Sequence, residues 1–319
     1  MHTPIDIAQN LLSNIASPIL VDVGSSLASP EIWNPIADQS TFVGFDPDDR
    51  DSGEEISSQF LQARFLPFAV TSNPEIAEIE FFLTESPYCS STLRPDQAAL
   101  TDYLFAESFA VKDQEKVPAR TLGDALQAIS IDRVDWLKLD TQGTDLRIYL
   151  SLEEKIRRNV LCVDIEPGLI SAYHGEDFFT KCHETLIAEG FWLSDLNVKG
   201  NPRINQKTLH SVRKAHPEFE APHHSGIRDS PGWCEARYLR RIESLPEFND
   251  SAGKARLLVV FALLDNQTGF ALDVVCTHPE HFPTELRESL IAIIMDAAPP
   301  QPSLLQKGTH FIKRRILRI

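Results

Sequence analysis

Four apolar runs within the first 166 residues each carry a carboxylate at or next to the end, and this pattern narrows the fold more than any bulk property. The runs are Pro18-Ile-Leu-Val-Asp-Val-Gly24, Thr41-Phe-Val-Gly-Phe-Asp46, Val134-Asp-Trp-Leu-Lys-Leu-Asp140 and Val160-Leu-Cys-Val-Asp-Ile-Glu166. Continuous rather than alternating apolar runs suit strands buried on both faces, as in a parallel sheet. Helical patterns lie between them. Thr121 caps a helix with Leu122, Ala125, Leu126 and Ile129 at helical spacing, a second helix is expected from about Thr144 to Arg157, and a third from Phe178 to Glu189. Strands alternating with helices call for an open α/β sheet with helices on both faces. Further strands are expected at Arg64–Val70, Glu80–Leu83, Gly190–Leu196 and Trp233–Arg240, with a polar loop or insertion over 200–232.

From Pro246 the pattern becomes helical, with helices expected over Ala252–Leu264 and Thr284–Ala297. The expected organisation is therefore a sheet domain over 1–245 and a helical appendage over 246–319. The apolar faces of the appendage must pack on the sheet domain or on a second copy of the chain.

Composition excludes several classes. The formal charge of −16 repels phosphate backbones, so nucleic acid is not an expected partner. No apolar run approaches the length of a membrane span. The absence of a signal-like N-terminus and five scattered cysteines without a CxxC pair suit a reduced, cytoplasmic protein. Structural zinc is not expected, because tetrahedral sites usually show paired ligands at short spacing, and His223-His224 reads as a polar loop. Lys307, Lys313, Arg314, Arg315 and Arg318 make the tail basic, which suits a solvated end or, alternatively, an anchor for an anionic surface.

Ligands of open α/β sheets bind outside the carboxyl ends of the strands. The candidates are therefore Asp22, Gly24 and Ser25 after the first run, Asp46 and Pro47 after the second, Asp140 and Gln142 after the third, and Glu166 after the fourth. Gly24 lets the backbone turn and approach a ligand closely. Asp46 lies 22 residues later, about where a second-strand acid reaches ribose hydroxyls. The Gly24-Ser-Ser-Leu-Ala-Ser29 loop has one glycine where a dinucleotide site wants three, which favours S-adenosyl-L-methionine over a pyrophosphate cofactor.

Several stretches resemble the FkbM family of S-adenosylmethionine-dependent methyltransferases. They are Val21-Asp-Val-Gly24, Phe42-Val-Gly-Phe-Asp-Pro-Asp48, Ser90-Ser-Thr-Leu-Arg-Pro95, Arg120-Thr-Leu-Gly-Asp124, Asp135-Trp-Leu-Lys-Leu-Asp-Thr-Gln-Gly143 (followed by Asp145), Val163-Asp-Ile-Glu166 and Ala188-Glu-Gly-Phe191. The resemblance implies a Rossmann-like class I methyltransferase fold with a seven-stranded, mostly parallel sheet whose last strand is antiparallel. It also implies Gly24 at the methionine side of the cofactor, Asp46 at the ribose, and methylation of a hydroxyl on a sugar, glycosylated or natural-product acceptor. The chain departs from the family at Leu27-Ala28, where a second glycine is usual, and at Asp46, where glutamate is commoner.

Methyl transfer to a hydroxyl needs alignment and usually a base. Asp140, Glu166 and His174 are the candidate catalytic residues, expected to converge on one pocket. Asp140 and Glu166 could instead hold Mg²⁺. Ser90, Ser91 and Gln142 are candidate acceptor contacts, although Gln142 with Gly143 also reads as the turn itself. The rival readings are a nucleotide-dependent oxidoreductase and a binding protein that kept the fold without turnover. A homo-oligomer through the C-terminal helices is a further expectation.

Overall fold

The computed structural model describes residues 3–13, 15–25, 29–47, 58–219, 228–247 and 250–296. Ten strands form among the described residues, numbered in chain order. They are β1 (Ile19–Val23), β2 (Thr41–Phe45), β3 (Gln62–Leu66), β4 (Ala69–Thr71), β5 (Glu78–Thr84), β6 (Val111–Thr121), β7 (Trp136–Leu139), β8 (Cys162–Ile165), β9 (Phe191–Pro202) and β10 (Asp229–Arg240). Seven of them build one sheet in the order β3-β2-β1-β7-β8-β10-β9. β1, β2, β3, β7 and β8 pair in parallel, while β10 inserts antiparallel between β8 and β9. A mostly parallel sheet of seven strands with only the last reversed is the Rossmann-like arrangement expected above.

Helices cover both faces, and each face has its own core. On one, Leu20, Phe42, Trp136, Cys162 and Leu239 of the strands meet the helix Pro4–Leu12 and the helix Ser251–Leu264. On the other, Val21, Val43, Leu137, Val163 and Tyr238 meet the helices Leu122–Ala128, Asp145–Ser151 and Phe179–Ala188. Thr121 caps the first of these as expected, its side chain accepting from the Asp124 N–H at 3.1 Å.

The segment expected as an appendage contributes directly to the first of these cores. Residues Leu257 to Leu264 are all buried, and Phe261 packs edge-on against Trp136 with ring centroids 4.8 Å apart. A helix that is apolar all round is an interior helix. At its start Lys254 is anchored to Asp135 at 2.6 Å. The helix Thr268–Thr277 packs against it, a helix the sequence pattern does not reveal because its run Phe270-Ala-Leu-Asp-Val-Val275 shows no polar stripe. The basic tail and His223-His224 lie outside the described residues.

Other boundaries shift for local reasons. The run Arg64–Val70 splits at Pro67, and its second part, β4, joins β5 and β6 in a separate three-stranded sheet. The expected helix Thr144–Arg157 breaks at Leu152, which adopts an extended backbone and turns its side chain into the core. Just before it the Ser151 hydroxyl bonds back to the Ile148 carbonyl at 2.7 Å, competing with the helix's own ladder. Much of the polar stretch 200–232 is structured: β9 and β10 run on into it as a long hairpin and Gln206–Ala215 is helical. No helix among the described residues is long and apolar enough to cross a membrane.

Candidate functional site

The carboxyl ends of β1, β2, β7 and β8 lie side by side, so register brings the four expected strand-end groups to one edge. Gly24 turns the chain there with φ +83°, and a Cβ at this position would collide with the carbonyl oxygen of Asp140. The N–H groups of Gly24 and Ser25 both donate to the Phe45 carbonyl, at 2.8 and 3.1 Å, and the Asp140 N–H donates to Val23 at 2.9 Å. These bonds tie the ends of β1, β2 and β7 together. Beyond β2, the Asp46 N–H reaches the Leu66 carbonyl at 3.4 Å, and Pro47 follows it out of the sheet.

Two oxygens at the β1 end are buried without a hydrogen-bond partner among the described residues: Ser25 Oγ and Asp22 Oδ2. Buried polar atoms are nearly always satisfied, so such a pair beside a glycine turn invites a polar ligand. The donor set fits the amino-acid end of S-adenosylmethionine, which offers an ammonium to a carboxylate and a hydroxyl. The loop departure at Leu27-Ala28 lies outside the described residues.

Behind the rim, cross-strand pairing aligns Asp22, Lys138, Asp164 and Arg237 in one row of alternating charge. Lys138 Nζ lies 3.0 Å from Asp22 and 3.9 Å from Asp140, and Arg237 Nε lies 2.7 Å from Asp164. Burial raises the Asp22 carboxyl to about 6 despite the ammonium beside it. Burial also works to lower Lys138, but Asp22 and Asp140 outweigh it and hold its pKa above the usual lysine value. The indole of Trp136 donates to Asp164 at 3.0 Å, and Arg237 continues to Asp265 at 2.7 Å.

At the rim, Glu166 is pushed up to about 8, first by burial and then by the charge of Asp140. The two carboxylates therefore share one electrostatic environment. Asp145, fully buried, bridges the two strand ends. It accepts from the Thr141 N–H at 2.9 Å and hydroxyl at 2.6 Å, and from the Glu166 N–H at 2.9 Å. Burial raises it to about 6.

Gln142 holds a left-handed turn with φ +55°, followed by Gly143 at +108°. Its amide donates to Asp140 at 2.8 Å, and its Oε1 lies 3.0 Å from the Tyr173 hydroxyl. Its carbonyl accepts from Ser91 at 2.8 Å. Ser91 is buried and its oxygen also caps the Leu93 N–H, while Ser90 Oγ accepts from the Thr84 N–H at 3.1 Å. These three side chains hold the loops in place. His174 sits apart from the two carboxylates' network: its ring is 61% exposed and faces Asp96 at 3.7 Å. Its neighbour Tyr173 reaches the site instead. Glu176, which carries no sequence signal, accepts from the Ala172 and Tyr173 N–H groups, and burial pushes it up to about 7.

A hollow of about 460 Å³ opens elsewhere, between Arg157, Asn159, Glu189 and Arg240 at the amino ends of β8 and β9. Arg157 is bound to Glu189 and to two carbonyls, and Arg240 to three carbonyls. Those arginines serve the fold.

No protein-family model matches the chain, and no curated protein matches it. One solved structure it is similar to is a precorrin-6y C5,15-methyltransferase from Geobacter metallireducens GS-15, at 9% identity and a TM-score of 0.33, covering 74% of this chain and 87% of that one. At that TM-score the likeness adds nothing to the fold read from strand order.

Proposed function

We propose that the chain is an S-adenosylmethionine-dependent O-methyltransferase acting on a hydroxyl of a sugar, glycosylated or natural-product acceptor. The observation that carries this reading is the β1 end, where Gly24 packs without a Cβ beside two buried oxygens, on Asp22 and Ser25, that have no partner among the described residues. Asp46 directly follows β2 at the same sheet edge, and in this reading it accepts from the ribose hydroxyls. When bound, S-adenosylmethionine supplies an electrophilic methyl group on a sulfonium.

The chain's own residues would do the rest. Asp22 and Ser25 hold the amino-acid end of the cofactor, and Asp46 the ribose. Glu166 takes the acceptor's proton: a carboxylate raised to about 8 is a far better base near neutral pH than an ordinary one. Asp140, fixed by Gln142 and facing Lys138, orients the acceptor hydroxyl. His174 remains an alternative base only if the loop carrying it closes inward. The like-charged Asp140–Glu166 pair favours a second reading of acceptor activation, with Mg²⁺ held between them. Lys138 already supplies a cation to Asp140, so we place the proton-transfer role first.

Calorimetric titration with S-adenosylmethionine and, separately, NADH tests the reading. Saturable binding of the former alone is expected. Binding of NADH would point to an oxidoreductase, and binding of neither to a protein that kept the fold without turnover. Chelation followed by Mg²⁺ restoration separates the two modes of acceptor activation.

A further inference from the structure

We propose that His278, Glu280 and His281 form a zinc site, built where the helix Thr268–Thr277 hands over to the helix Thr284–Asp296. The linking turn, Pro279–His281, is a single 3₁₀ turn, and in that geometry residues three apart eclipse one another. His278 and His281 therefore project from the same side. Their rings lie 13° from parallel with centroids 5.8 Å apart.

Glu280 completes the set. Its Oε1 lies 3.7 Å from His278 Nδ1 and 3.5 Å from His281 Nε2, and all three ligand atoms fall within 4.8 Å of one another. Tetrahedral zinc with bonds of about 2.0–2.2 Å separates its ligands by roughly 3.3–3.5 Å, so small side-chain adjustments close the site. Two imidazoles and a carboxylate suit zinc better than magnesium or calcium, which want oxygen throughout. The imidazoles are mostly buried, 16% and 19% exposed, whereas Glu280 is 61% exposed. A fourth position would thus open to water.

The turn is held before any ion arrives. Pro279 fixes its first residue and Pro283 follows it, while Arg256 Nε on the interior helix donates to the His281 carbonyl at 2.8 Å. Preformed backbone lowers the ordering cost of binding. One feature limits affinity: His278 Nε2 is buried without a partner among the described residues. Coordination through Nδ1 leaves the proton on Nε2, with no acceptor to support it. Binding weaker by about 10–100-fold than at a site with a supported imidazole follows. The proposal departs from the sequence-based expectation of no structural zinc, since His-Pro-Glu-His offers three ligands at short spacing. The inference is independent of the methyltransferase reading.

The test uses the full chain, stripped with chelator and titrated with Zn²⁺ and with Co²⁺. One equivalent should bind, and Co²⁺ should give the visible absorption of a tetrahedral nitrogen–oxygen site. His281→Ala and the exposed Glu280→Gln should each weaken Zn²⁺ binding by at least about tenfold, with the folded far-ultraviolet spectrum retained. Asp140→Asn should leave it unchanged. Absence of saturable binding, equal affinity in Glu280→Gln, or loss of binding in Asp140→Asn would each overturn the assignment, the last by moving the ion to the sheet edge.

Discussion

Asp22 and Lys138 sit directly opposite one another on β1 and β7, 116 residues apart in sequence, and form a 3.0 Å ion pair behind the site's edge. Asp22 is fully buried, and its second oxygen finds no partner among the described residues. The pair therefore leaves one carboxylate oxygen without a partner among the described residues while the ammonium offsets the charge. Lys138→Met strands Asp22 as an unpaired buried charge, at a cost of about 3–5 kcal/mol near pH 8. At pH 5 the stranded carboxyl protonates and most of that cost disappears, since Asp22 already stands at about 6 with its partner present. Denaturant unfolding at both pH values checks this; an equal loss at each would show that the charge is not the cause.

Gly24→Ala should damage the site and the fold together. Backbone strain at φ +83° costs about 1–3 kcal/mol by itself. The new methyl must also push the Asp140 strand end away. Both a lower thermal midpoint and weaker S-adenosylmethionine binding are expected, and a variant as stable as the parent would mean that the two strand ends are not in contact.

Asp46→Ala should weaken S-adenosylmethionine by about 1.5–3 kcal/mol, the range for hydrogen bonds to a charged group. Calorimetry measures it directly. An unchanged dissociation constant would remove Asp46 from the cofactor site.

Glu166→Gln should lower turnover by about 10²–10⁴ with little change in cofactor affinity. A base works deprotonated, so in the parent kcat/KM should rise with pH toward about 8 and then level, a limb the variant lacks. Stability should move oppositely. The folded-state value of about 8 exceeds the ordinary 4.5, so the folded chain keeps a proton that the unfolded chain releases between those limits. The stabilisation is complete below 4.5 and is lost as pH rises through about 8. The thermal midpoint of Glu166→Gln should therefore fall less than the parent's across that window; parallel curves would refute the shift.

Phe261→Ala tests whether the C-terminal region belongs to the core. A ring fully buried against Trp136 should cost about 3–5 kcal/mol on truncation. A loss below about 1 kcal/mol, the level of an ordinary surface change, would show that this helix is not part of the sheet's core.

Local residue patterns are enough to reveal the elements whose environment repeats along the chain. β1, β2, β7 and β8 are legible because burial on both faces demands unbroken apolar residues, and Gly24, Asp46, Asp140 and Glu166 are legible because they stop those runs. Thr121 is legible because a helix cap acts over three residues. Nothing comparable marks β6, whose residues Lys112 to Lys116 are polar on both sides and take their shape from pairing with β5. The interior helix Ser251–Leu264 announces that it must be covered, but only tertiary packing names Trp136 as what covers it. The same holds for the junction of Cys89, Ser91, Gln142 and Tyr173, and for the pairing of Asp22 with Lys138. Propensity and hydrophobic period act between residues a few positions apart, whereas the charges and hydrogen bonds of this site are set by strands and loops that meet only when the sheet closes.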